Sequence, residues 1–231
     1  MHSPHIIRDF DNAISGLRRE VLDMASKACH SLERAVDSVL NRNVDLADAV
    51  IAADDEVDQH ELDIDRRGLD ILMRFHPVAT DLRLVLSSMR IASNLERVGD
   101  HATSIAKRAR KLSAASSLSD VTLVEPIYLL ARHLLQDAIS AYSDGNARLA
   151  GELHARDEDL DRLYKDATRA FCARIESSTV QKVGYLHLAS IVKSLERVGD
   201  LATNIGEDVV FLEEAKDLRH QPHRSVDGGL R

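Results

Sequence analysis

Glu96 and Asp100 stand four residues apart in NLERVGDHATSI (94–105), and Glu196 and Asp200 repeat the pair in SLERVGDLATNI (194–205). The two stretches share Leu-Glu-Arg-Val-Gly-Asp-x-Ala-Thr at an offset of 100 residues. A helix needs only its apolar spacing. A repeat that keeps the polar letters therefore gives Glu96, Arg97, Asp100, Glu196, Arg197 and Asp200 a task beyond folding. Carboxylates at i and i+4 lie about 5–6 Å apart at Cβ on a helix, and rotation of the side chains brings both onto one ion. Hard cations prefer such oxygen donors, and iron or manganese also accept them. Further acids recur at the same spacing: Asp54 and Asp58 in DDEVD (54–58), and Asp157 and Asp161 in DEDLD (157–161), offset by 103. Arg97 and Arg197 are expected to pair with these acids and hold them in place. The competing explanation is plain ion pairing on a helix surface, which stabilises by only about 0–1 kcal/mol.

Apolar residues recur at three- and four-residue intervals through most of the chain, which predicts amphipathic helices. Leu17, Val21, Met24, Ala28, Leu32, Ala35 and Val39 form one stripe; Val50, Val57, Ile64, Leu69, Ile71 and Phe75 outline a second. Leu84, Ile91, Leu95, Val98, Ala102, Ile105 and Ala109 form a third. NRNVD (41–45) reads as a turn with Asn43 capping the next helix. In FHPVATD (75–81), Pro77 is expected in the first turn of a new helix. The Ser-rich KLSAASSLSD (111–120) is the best boundary between halves. Helices are then expected over about 121–142 and 147–176, with a last one opened by SSTVQ and reaching about 216. The predicted class is all-α: six long helices in two tandem, pseudo-symmetric three-helix bundles, 1–115 and 116–217, followed by a polar tail, 218–231, that frays.

Composition excludes several classes of function. Hydrophobic residues make up 44% of the chain, enough for a core, while aromatics are 3% and Trp is absent, which favours aliphatic helix packing. A net charge of −8, with nine carboxylates and no Lys or Arg between residues 45 and 65, argues against general nucleic-acid binding. Cys29 and Cys172 lack metal-type spacing and read as reduced thiols. With no apolar leader and no long apolar run, the expectation is a soluble cytoplasmic protein that reaches a membrane only through a partner.

A helical wheel separates the two programmes of the repeated segment. Leu95, Val98, Ala102, Ile105 and Ala109 fall within about 40° of Ile91, while Glu96 and Asp100 lie at about 140° and 180°. The acids are therefore expected on an exposed face opposite the core, together with Val85, Met89, Ala92, Gly99 and Thr103. In the second copy Tyr185, Ala189, Val192, Gly199, Thr203 and Asn204 share that face.

These residues resemble the PhoU family of phosphate-uptake regulators, whose signature is Glu-Arg-x-x-Asp-x-x-x-Asn once per half. Glu196, Arg197, Asp200 and Asn204 match it fully; in the first copy Ser104 replaces the Asn. The resemblance extends over about residues 5–215, through RDFDNAISGLRREVLDMA and DEDLDRLY. It implies two three-helix bundles, surface iron, zinc or other metal ions on the repeated Glu and Asp, and frequent homodimers. It also implies a non-enzymatic adaptor that represses phosphate-starvation signalling by linking the ATPase of the Pst phosphate transporter to a PhoR-type sensor histidine kinase. The alternatives are a carboxylate-metal phosphohydrolase and a purely structural scaffold. Against the first, His76, His101, His133, His154 and His187 share no motif, and Gly99 and Gly199 stand where a Glu-x-x-His site needs His. The second leaves the repeated polar letters unexplained.

Overall fold

The computed structural model describes residues 4–114, 118–177 and 181–218. Among them there is no strand. The helices are α1 (Pro4–Leu40), α2 (Val44–Ala52), α3 (Asp54–Phe75), α4 (Ala79–Ser113), α5 (Val124–Asp144), α6 (Ala147–Ser177) and α7 (Lys182–Glu214), with a 3-10 turn over Ser119–Leu123. The six expected helices are present, but the second is broken into α2 and α3 at Ala53. Its N–H reaches only Val50, in 3-10 fashion. Asp54, Asp55 and Glu56 then open α3, where the helix dipole favours acids. No Gly or Pro announces this break.

Asn43 caps α2 as expected, its side chain accepting from the Leu46 N–H. Pro77, in contrast, lies outside α4. His76 closes α3 in the left-handed region and Val78 is the extended residue before Ala79, so Pro77 bridges two helices rather than starting one. The stretches 115–117, 178–180 and 219–231 lie outside the described residues, and with them parts of the expected linker, of the last helix opening and of the tail.

α4 and α7 form the centre of the molecule. α4 packs on α1, α2, α3 and α7, while α7 packs on α4, α5 and α6. Arg83 donates to the Leu212 carbonyl and Ser87 to that of Asp208, so α4 and α7 run antiparallel. Continued along both helices, that pairing brings the two copies of the repeat side by side near Val98 and Val198. Every residue of the first and third expected stripes is buried, and the buried residues of both halves form one cluster. Leu69 departs from the second stripe: it is 52% exposed, on the side of α3 away from Ile64 and Ile71.

Candidate carboxylate sites on the central helices

The face of α4 and α7 that carries the repeated acids is largely covered, although Asp100 itself is exposed as expected. Val85, Ala92 and Val192 are fully buried, Tyr185 and Thr103 nearly so, and Glu196 is 9% exposed. A single-stripe wheel suits an outer helix of a bundle, whereas a central helix buries more than one side. The covering elements are the acidic helices, with α3 over α4 and α6 over α7. Gly99 and Gly199 make the approach possible. A Cβ at Gly99 would stand 3.2 Å from Val57 Cγ1; at Gly199 it would stand 2.2 Å from Leu160 Cδ2 and 2.6 Å from Asp157 Oδ1.

This close packing gathers acids that are distant in sequence. In the first half, burial and then Asp100, Glu61 and Asp58 push the Glu96 carboxyl up to about 7, against the lowering influence of Arg97. Asp58 is raised in turn by burial, Asp54, Asp100 and Asp55. In the second half, burial and then Asp200, Asp161 and Glu196 push Asp157 up to about 7. The eight acids singled out in the sequence thus fall into two sets. One joins Asp54, Asp58, Glu96 and Asp100; the other joins Asp157, Asp161, Glu196 and Asp200.

The two sets differ in their local partners. Thr103 donates to Asp54 at 2.8 Å, tying α4 to α3, whereas Thr203 donates to the Asp200 carbonyl of its own helix at 2.7 Å. Glu196 Oε1 accepts from Lys193 at 2.7 Å, while its buried Oε2 makes no hydrogen bond and has Arg197 Nε at 3.7 Å. Arg197 donates to Asp200 at 2.9 Å. It therefore holds acids of its own helix rather than those of α6, because neighbours three residues apart on one helix lie within reach. Arg97 makes no hydrogen bond or ion pair among the described residues. Ser104 accepts from Arg108 at 2.7 Å, and Asn204 is exposed. Lys193 and the Thr103–Asp54 bond went unforeseen. The repeated Ala-Thr was the available signal for the latter; Ser93 in the first copy hid the former.

Among the described residues no three His, Cys, Asp or Glu side chains stand together as an ion-binding group. Asp200 is turned to Arg197, Glu196 to Lys193 and Asp161 to Lys165. The residues nonetheless fit a cation chemically. Each set is oxygen-only, each contains a carboxyl pushed up by burial and then by its acidic neighbours, and Glu196 Oε2 is buried without a donor. His101 packs between the copies, where burial and then Arg97 lower it, with Arg197, Asp100 and Glu196 also in range.

The raised carboxyls carry a pH signature. Between about pH 4 and 7 the folded chain holds a proton at Asp157 that the unfolded chain has released, so stability falls as pH rises through that window. In chelator-treated protein, Asp157→Asn should match the parent at pH 4 and exceed it at pH 8 by about 1 kcal/mol, a figure discounted for the half-exposed position. Urea unfolding at the two pH values reads this directly. Equal stability at pH 8 would contradict it.

Comparison with known proteins identifies the family to which the fold belongs. The family model described as PhoU domain matches residues 21–109 and again 126–209. A Xylella fastidiosa (Temecula1) protein named phosphate-specific transport system accessory protein PhoU homolog is 30% identical, over 94% of this chain and 90% of its own length. The protein of the same name from Pseudomonas aeruginosa is 32% identical, over 94% and 90%. The crystal structure of PhoU from P. aeruginosa superposes with a TM-score of 0.86 at 31% identity, covering 90% of this chain and 100% of that one. The phosphate transport system regulatory protein PhoU from Streptococcus pneumoniae shares the fold, with a TM-score of 0.83 at 24% identity over 90% and 99%. Two matched domains, one around each copy of the repeat, and relatives aligned over nearly the whole chain place this protein in the PhoU family.

Proposed function

We propose that the protein is a regulatory accessory factor of phosphate transport, a non-enzymatic adaptor that represses phosphate-starvation signalling. In this reading it acts as a homodimer in the cytoplasm and links the ATPase subunit of a phosphate transporter to a sensor histidine kinase. Membership of the PhoU family supports the role, and the names of the relatives connect it with phosphate transport. Among the described residues no helix is long and apolar enough to cross a membrane, so contact with a membrane system runs through partners.

The observation that carries the site assignment is the gathering of eight separate acids into two sets at matching places, one where α3 covers α4 and one where α6 covers α7. Each set is assigned as a metal site for iron, zinc or manganese: Asp54, Asp58, Glu96 and Asp100 in one, Asp157, Asp161, Glu196 and Asp200 in the other. A bound cation would supply positive charge that stabilises the deprotonated carboxyls and ties the acidic helix to the central one. Arg197 orients the acids of the second site, whereas Arg97 and Asn204, expected to do the same, make no hydrogen bond to them among the described residues. The first site, with Ser104 in place of Asn, is the weaker.

Deleting the gene should raise phosphate-regulated transcription in phosphate-replete medium. Reporter expression that stays at the parental level would contradict the repressor role.

A further inference from the structure

Leu62, Leu69 and Met73 are large apolar side chains that α3 leaves in the open, 55%, 52% and 68% exposed. Among the described residues no other helix carries three of this kind. With Arg66 they follow one another at intervals of four, three and four residues, which puts all of them within about 40° of Leu62 on a helical wheel. Ile64, Gly68 and Ile71 are buried on the opposite side, where α3 meets α1 and α4. Alternating steps of four and three are the seam spacing of a two-helix coiled coil. α3 therefore has a second seam, and no described element covers it.

The pseudo-equivalent face of α6 does not share this property. At the offset of 103 that relates the two acidic helices, Leu62, Leu69 and Met73 correspond to Lys165, Cys172 and Glu176, and Arg66 to Arg169. Three of those four are charged, so water suits the outer face of α6. It does not account for the outer face of α3.

The charges beside the seam indicate what lies on it. Asp63, Arg66, Asp70 and Arg74 alternate in sign along one flank. Within the chain Arg66 pairs with Asp63 at 2.9 Å and Arg74 with Asp70 at 3.1 Å, exposed pairs that contribute little by themselves. Read in reverse, the series is its own complement. An antiparallel second copy, centred level with Gly68, sets Asp70 against the partner's Arg66 and Asp63 against the partner's Arg74. The same register sets Leu62 beside the partner's Met73 and Leu69 beside the partner's Leu69. A twofold axis brings the same flank of each copy together, so all of these matches form at once. A parallel copy in register would place each charge level with its own sign.

We propose that the outer face of α3 is an isologous interface between two copies of this chain, packed antiparallel about a twofold axis level with Gly68. The inference rests on the homodimer reading and gives that homodimer its surface.

The test is sedimentation equilibrium of the full-length chain over a concentration series, under reducing conditions. The parent should dimerise reversibly. Leu69→Asp should weaken the dimer about a hundredfold or more, because the twofold axis brings two unpaired carboxylates together in the seam. The equivalent change on α6, Cys172→Asp, should leave it unaltered. Asp70→Arg alone opposes the partner's Arg66 and should weaken the dimer about tenfold. The exchange Arg66→Asp/Asp70→Arg restores opposite signs and should return the affinity to within about threefold of the parent. Within one chain that exchange sets like charges beside Asp63 and Arg74, so recovery can come only from the second copy. All these positions are solvent-accessible in the single chain, and unchanged circular dichroism verifies that each variant is folded. A dimer retained in Leu69→Asp overturns the α3 interface and leaves the homodimer reading standing. No recovery in the exchange variant overturns the antiparallel register. A parent that stays monomeric throughout the series overturns the homodimer reading itself, and the second copy as occupant with it.

Discussion

Purified without chelator, the protein should carry transition metal, and the Glu196→Ala/Asp200→Ala variant should lose about half of it. The expectation follows from two sets of acids rather than one continuous cluster. Burial and three acidic neighbours push Asp157 up to about 7, so its anionic form lacks compensation that a cation provides. Removing Glu196 and Asp200 takes away half of the second set and leaves the first intact. The Glu96→Ala/Asp100→Ala variant should lose no more than that, since Ser104 leaves the first site the poorer one. Metal analysis by plasma mass spectrometry gives the ratio per chain. Equal metal in variant and parent would sink the assignment and leave Asp161, Glu196 and Asp200 as ion-pair partners within their own helices.

The second large effect separates two glycines that read identically in the sequence. Gly199→Ala should destabilise the protein, while Gly99→Ala should leave it within about 0.5 kcal/mol of the parent. In both helices Ala brings up to about 1 kcal/mol of helix propensity over Gly. At Gly99 the added methyl meets Val57 at 3.2 Å, a contact relieved by a small shift. At Gly199 it meets Leu160, which is fully buried, at 2.2 Å. Overpacking of that kind costs about 1–3 kcal/mol and outweighs the propensity gain. The net loss, up to about 2 kcal/mol, corresponds to roughly 2–4 °C of Tm per kcal/mol in a chain of this size. Moving α6 outward would also separate Asp157 from Asp200, so the fall in stability above pH 4 should shrink in the same variant. A Gly199→Ala protein as stable as the parent would show that the α6–α7 contact is looser than described.

Much of this was legible in the sequence, and the exceptions have physical causes. Apolar periodicity located the helices because aliphatic stripes must be buried whatever their neighbours. Identical polar letters located the acids because chemistry fixes residue type where packing fixes only character. Periodicity could not show that α4 and α7 are covered on more than one side, since a wheel records one helix and burial depends on several. Val85, Ala92 and Val192 were therefore placed on an outer face that the structure closes. The break at Ala53 was hidden for another reason. Ala is the best helix former, and it is the following run of Asp54, Asp55 and Glu56 that favours a new N-terminus there. Arg197 was expected across the helix interface and is found on its own helix, where three-residue spacing supplies a nearer carboxylate. The asymmetry between Arg97 and Arg197 has no counterpart in the repeated letters.

Affinity capture from phosphate-replete cells is the most direct test of the regulatory reading, which requires physical contact with both ends of the signalling path. With the full-length protein as bait, a phosphate-transporter ATPase and a sensor histidine kinase should be recovered, and recovery should fall when the cells are starved of phosphate. Capture of neither protein under replete conditions, from bait that is folded and carries its metal, would contradict the adaptor role.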